Sequence, residues 1–220
     1  MERRMSSVHL ATLIISALIF LVGLLVGWGL GAAATAQLQE NIQRLEEEQR
    51  ELDVLALLAE QPEVGCGAYS AAFESFTRKT RAFGEKVEYL EKKKGKLDEE
   101  VLRLKSGYAI LQARNYLILR KMNELCGESR NIILYFYTNE NYSEATDQGI
   151  VLWKVIPTLP AYADNTSVYH FDVKVNNSII EALKKAYGIS VLPTLVVNGK
   201  KIEGFHDEAS LRRALESVRE

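Results

Sequence analysis

The sequence predicts an α/β C-terminal domain preceded by one membrane-length apolar helix and an α-helical coiled-coil or hairpin stalk. Three observations carry this expectation. Leu10 to Ala34 is apolar apart from Thr12 and Ser16. A heptad seam runs from Tyr69 to Leu125. Beyond Asn131, strand-like and helix-like patterns alternate, with turn signals between them.

The first element follows from charge and length. No charged residue lies between Arg4 and Glu40. An apolar run needs roughly 20 residues to span hydrocarbon as a helix. Residues 1–7 are therefore expected to be a cytoplasmic N-terminus and 8–34 a transmembrane signal anchor. Arg3 and Arg4 precede the run and Glu46, Glu47 and Glu48 follow it, so the positive-inside rule places the rest of the chain outside the cytoplasm. Trp28 would sit at the outer interface. The competing reading is a cleavable signal peptide, with Ala34-Thr35-Ala36 as its small-x-small site, although such peptides carry only about 7–15 apolar residues. Gly23, Gly27 and Gly31 recur every four residues and would allow close helix pairing in the membrane, hence a homodimer.

Residues 36–126 read as helical. Leu38, Ile42, Leu45, Leu52 and Leu55 line one face of a first helix, and Gln61-Pro62-Glu63-Val64-Gly65-Cys66-Gly67 breaks it. The seam then follows Tyr69, Phe73, Phe76, Thr80, Phe83, Val87 and Leu90, and continues through Lys94, Leu97, Val101, Leu104 and Tyr108 to Leu125. Two structures fit: one helix of about 85 Å, or a hairpin turning in Lys92-Lys93-Lys94-Gly95-Lys96. The cysteines favour the hairpin. Residue 96 is midway between Cys66 and Cys126, so folding there brings both to one end. A straight helix would hold them about 90 Å apart, out of disulfide reach. The unbroken register through Gly95 is the argument for the single helix. In the hairpin reading the helices are a stalk that lifts the last domain roughly 40 Å from the bilayer. Tyr108 to Leu119 is apolar nearly all round, so it is expected to meet more than one neighbour.

Residues 129–220 read strand, helix, strand, helix, strand, strand, helix. Asn131 to Thr138 is a buried strand, and Ser143 to about Thr158 a helix. Tyr169, Phe171, Val173 and Val175 alternate with polar residues as a strand should. Ile179 to Tyr187 is a helix closed by Gly188. Asn198-Gly199 turns a hairpin between Thr194–Val197 and Lys201–Phe205, and Asp207 to Val218 is the last helix.

The strand Asn131–Thr138, the following Asn139-Glu140-Asn141-Tyr142-Ser143-Glu144-Ala145, and the stretch Ser190-Val191-Leu192-Pro193-Thr194-Leu195-Val196-Val197-Asn198-Gly199-Lys200 together resemble the thioredoxin-like family. Gln148-Gly149 followed by Val151-Leu152 adds to that likeness. The resemblance covers less than half of the chain. It implies a cis peptide bond before Pro193, facing the active-site turn and helping to hold an extended peptide. It also implies that a Cys-x-x-Cys pair should fall on Asn141, Tyr142, Ser143 and Glu144. Neither end of that quartet is cysteine. Thiol–disulfide exchange needs a thiolate nucleophile, and asparagine offers none. Ser143 has no histidine near it in sequence to activate it, and serves better as a helix N-cap, as does Asn141.

Composition excludes several classes. A formal net charge of -2 gives no basic footprint for nucleic acid. Two cysteines and His9, His170 and His206 lack the spacing of a metal site, and no cofactor motif is present. Asn141-Tyr142-Ser143, Asn165-Thr166-Ser167 and Asn176-Asn177-Ser178 match the glycosylation sequon. The expected function is a membrane-anchored, redox-inactive thioredoxin-like module that binds a protein or peptide partner, with the replaced Cys-x-x-Cys weighing against an enzyme without deciding the question. The alternative is an extracytoplasmic thiol–disulfide oxidoreductase or isomerase using Cys66 and Cys126.

Overall fold

The computed structural model describes residues 12–24, 54, 57–58, 61, 64–139 and 142–218. The chain divides into two compact units, Met1–Val54 and Leu55–Glu220. In the first, helix α1 is described over residues 12–24, with its large apolar side chains exposed.

The expected transmembrane helix does not hold. Among the described residues no helix is long and apolar enough to cross a membrane. The fold class is corrected to helices around a four-stranded sheet. The placement as a single-pass membrane protein, with a cytoplasmic N-terminus and an extracytoplasmic C-terminal domain, falls with that helix. Gly23 has open space around its Cα. Gly27, Gly31 and Trp28 lie outside the described residues, as does most of the helix expected from 36 to 59.

In the second unit, α2 (Gly65–Lys94) and α3 (Glu99–Leu125) form a helical hairpin. The chain reverses at Gly95, whose φ of 97° suits glycine alone. Asp98 restarts the helix as an N-cap, its carboxylate accepting from the Glu100 and Val101 N–H groups. Lys94 pairs with Glu100 across the turn. The single long helix is thereby ruled out. The heptad spacing carried on through the turn, yet Leu97 is 55% exposed there and has no seam to join. Phe83 stacks on Tyr108 with ring centroids 6.4 Å apart, and Gly84 and Gly107 give those rings room.

A second stripe decides where the hairpin goes. Lys105, Ala109, Gln112, Tyr116 and Leu119 recur at helical spacing on α3, and all are buried. They meet the sheet. Tyr108 to Leu119 therefore contacts α2 on one side and the strands on the other, and the hairpin shares a core with the sheet rather than standing clear of it as a stalk.

That sheet contains β1 (Asn131–Tyr137), β2 (Thr166–Asp172), β3 (Thr194–Val197) and β4 (Lys200–Glu203), in the order β2-β1-β3-β4. β1 and β2 are parallel, and β3 is antiparallel to both β1 and β4. Helix α4 (Tyr142–Val155) and a 3-10 turn (Ile156–Thr158) cross from β1 to β2, α5 (Ser178–Tyr187) leads to β3, and α6 (Glu208–Ser217) closes the domain. Alternation along β1 assigns its faces. Ile132, Leu134 and Phe136 pack with α3 and α5. Ile133 and Tyr135 pack with α4, α6 and Tyr162. Asn177 caps α5 and Gly188 ends it in the left-handed conformation. Asn198 and Gly199 both take positive φ, as the tight β3–β4 turn requires. β2 begins and ends three residues earlier than the Tyr169–Val175 alternation suggests, because the chain turns after Asp172.

Candidate functional site

The sheet brings three segments to one end. β1 finishes at Tyr137, which pairs with Asp172, the last residue of β2. Antiparallel pairing of Phe136 with Thr194 puts the Pro193 loop beside the same end. Pairing of Thr194 with Glu203 adds Gly204 and Phe205. The Leu192–Pro193 bond is cis and Pro193 is buried. Its carbonyl accepts from the Gly204 N–H at 2.8 Å, and Thr194 Oγ1 donates to the Val191 carbonyl at 2.7 Å. Val191 and Phe205 are exposed on either side.

Of the quartet expected at the turn, Asn141 lies outside the described residues, and so do the side chains of Tyr142, Ser143 and Glu144. Backbone order places the quartet where α4 starts. Farther along α4, the fully buried Gln148 accepts through Oε1 from the His206 N–H at 2.7 Å, tying the helix to the segment after β4.

Just before the turn is a buried polar cluster that the sequence analysis missed. Asp172 Oδ2 accepts from Asn139 Nδ2 at 2.7 Å and faces Lys105 Nζ at 2.9 Å. Its other oxygen accepts from the Lys174 N–H at 3.1 Å. Lys105 Nζ also lies 2.5 Å from Glu91 Oε1. Each arm of the hairpin thus supplies one member, Glu91 and Lys105, of a polar chain that runs through Asp172 to Asn139, next to the turn. Burial first, then the Asp172 and Glu91 carboxylates, hold the neighbouring Tyr137 phenol well above its ordinary pKa. A cleft of about 810 Å³, lined by Asn139 and by the hairpin tip from Glu88 to Asp98, opens beside this cluster. One signal was available in sequence: Lys105 and Gln112 interrupt an otherwise apolar stripe on α3.

The two cysteines are elsewhere. Cys66 and Cys126 form a disulfide, S–S 2.07 Å and Cα–Cα 5.6 Å, at the open end of the hairpin. Cys126 enters β1 from its N-terminal side, whereas Pro193 neighbours its C-terminal side. The seven residues of β1 separate those ends by roughly 23 Å. The charged groups of the polar cluster are paired with one another, which leaves none of them as an obvious nucleophile.

No family model matches the sequence, and no curated protein does. Similar solved structures include a thioredoxin from Malassezia sympodialis, at 24% identity over 44% of this chain and 83% of that one, with a TM-score of 0.33. The germline-specific thioredoxin Deadhead of Drosophila melanogaster is 19% identical over 47% of this chain and 93% of its own, with a TM-score of 0.34. Chloroplastic thioredoxin z is 18% identical over 46% and 88%, again at 0.34. The C-terminal part itself shows a mixed four-stranded sheet flanked by helices, with a cis-proline loop beside the end of β1.

Proposed function

We propose that the chain is a redox-inactive thioredoxin-like protein that binds an extended peptide segment of a partner across the Pro193 loop. The observation that carries this reading is the location of the sulfur. The chain has two cysteines, both in one disulfide at the far end of β1 from the loop. Val191 and Phe205 offer apolar contacts beside Pro193, where a peptide backbone would lie. Contact, with no thiolate exchange at the turn, is what these residues can supply.

An insulin-reduction assay on the full chain with dithiothreitol tests the first half of the reading. The rate is expected to equal dithiothreitol alone. Turnover that disappears in Cys66→Ser would overturn it in favour of an oxidoreductase. Reduced, carboxymethylated ribonuclease is an extended-chain probe for the second half. Phe205→Asp is expected to weaken its binding by about tenfold, since an exposed apolar contact that a bound peptide would cover is replaced by a charge. Unchanged binding removes the Pro193 loop as the binding face.

A further inference from the structure

We propose that a second site, at the amino-terminal end of the sheet, binds a small carboxylate with an apolar body, and that Arg130 is its anion receptor. The cleft there has a volume of about 640 Å³ and lies at the opposite end of β1 from Pro193. This is within the range of small-molecule sites, which are mostly apolar with a few convergent polar groups.

The floor is apolar. Ile132 and Leu134 of β1 and Val196 of β3 line it. The walls carry charge. Arg120 is already committed, donating from Nε to Glu124 Oε1 at 2.8 Å, and Lys121 reaches the other oxygen of Glu124 at 3.3 Å. Arg130 is different. Its Nε is buried yet has no hydrogen-bond partner. The nearest carboxylate oxygen, Glu128 Oε2, is 3.6 Å away, an ion pair too long for a hydrogen bond.

Arg130 is also held in place. Asn123 clamps its backbone, donating from Nδ2 to the Arg130 carbonyl at 2.8 Å and accepting from its N–H at 3.3 Å. The guanidinium lies over the Phe73 ring, 5.2 Å from its centroid. A planar fork held at its backbone and over an aromatic ring loses little freedom on taking a carboxylate. Across the cleft, the Tyr116 and Tyr187 hydroxyls are 2.6 Å apart. One proton spans that gap, and the other is left to donate outward. Burial and the Tyr116 hydroxyl push the Tyr187 phenol up to about 12, so it stays protonated near neutrality. Two arginines against one glutamate leave a surplus of one positive charge among the lining residues, which matches a monoanion.

Titration of the full-length protein with 3-phenylpropionate, 3-phenylpropionamide and inorganic phosphate tests the assignment. Amide chemical shifts would be read at Ser129, Asn131, Asn198 and Gly199. The acid is expected to bind and to move those four signals. The amide and phosphate are each expected to bind at least about tenfold more weakly, the first lacking the charge and the second the apolar body. Arg130→Gln is expected to remove the preference for acid over amide. Arg130→Lys, which keeps the charge but loses the fork, is expected to fall between wild type and Arg130→Gln. Equal binding of acid and amide by the wild-type chain overturns the proposal without reference to any variant. So does phosphate binding as tight as the acid, absence of binding by the acid, or shifts confined to residues outside the cleft.

Discussion

Lys105 Nζ sits 2.9 Å from Asp172 Oδ2, with both side chains 5% or less exposed, joining the second arm of the hairpin to the end of an edge strand 67 residues away. Glu91 and Asn139 complete the cluster. Lys105→Met would leave two carboxylates facing each other without the cation between them. A broken buried pair typically costs about 3–5 kcal/mol. The expected result is a loss of that size in urea denaturation. Adding Asp172→Asn to Lys105→Met should recover part of it, because the unpaired charge goes too. A loss below about 1 kcal/mol, the level of an exposed pair, would mean that water reaches the cluster.

The disulfide should govern the stability of the same unit. Cys66 and Cys126 are 60 residues apart and lock the open end of the hairpin. The chain-entropy model gives about 4 kcal/mol for a loop of that length. Unfolding in reductant, or in the Cys66→Ser/Cys126→Ser double variant, should therefore show a lower urea midpoint and a somewhat steeper slope, because the unfolded chain is no longer cross-linked. An unchanged midpoint would show that packing of α2 on α3 suffices alone.

Gln112 guards an edge. Its amide donates to the His170 carbonyl at 2.6 Å and accepts from the His170 N–H at 2.7 Å, taking the place of a neighbouring strand beside β2. Gln112→Leu should destabilise by about 2–6 kcal/mol, since each of the two backbone groups left unpaired costs about 1–3 kcal/mol. Light scattering at raised temperature should also report faster aggregation than in wild type. Wild-type stability and solubility together would show that water replaces the amide.

Acid should weaken the fold through His170. Burial lowers its pKa from 6.5 to about 4, so the native state keeps the ring neutral while the unfolded chain protonates it. Between those values the unfolded state binds more protons, and stability falls as pH drops. The contribution is about 1–3 kcal/mol across that window, reduced by the partial exposure of this edge residue. His170→Phe keeps the edge-to-face contact with Tyr135 and removes the proton. Its stability should depend less on pH than that of wild type. Parallel profiles would assign the acid sensitivity to the carboxylates.

Local pattern made much of the C-terminal domain legible. A continuous apolar run marked β1, Gly188 marked the end of α5, and Asn198-Gly199 marked the hairpin turn, because each is a short-range constraint written in neighbouring residues. For the apolar run at the N-terminus hydropathy supplied only a length in residues, and among the described residues no helix is long and apolar enough to cross a membrane. The heptads misled in a different way. A spacing of three and four recurs equally in one long helix and in two helices that reverse at Gly95, because periodicity along a helix carries no information about what lies opposite it.

By itself, then, the amino-acid order determined that no cysteine stands at the start of α4, and that both cysteines flank a segment with a glycine near its middle. Only the tertiary structure decided that α3 lies on the sheet, that Lys105 finds Asp172, and that Gln112 closes an edge. Those contacts join residues 58 to 67 positions apart. Nothing local specifies them: a polar residue in an apolar stripe announces that it needs a partner, and the packing of strands and helices selects which one it meets.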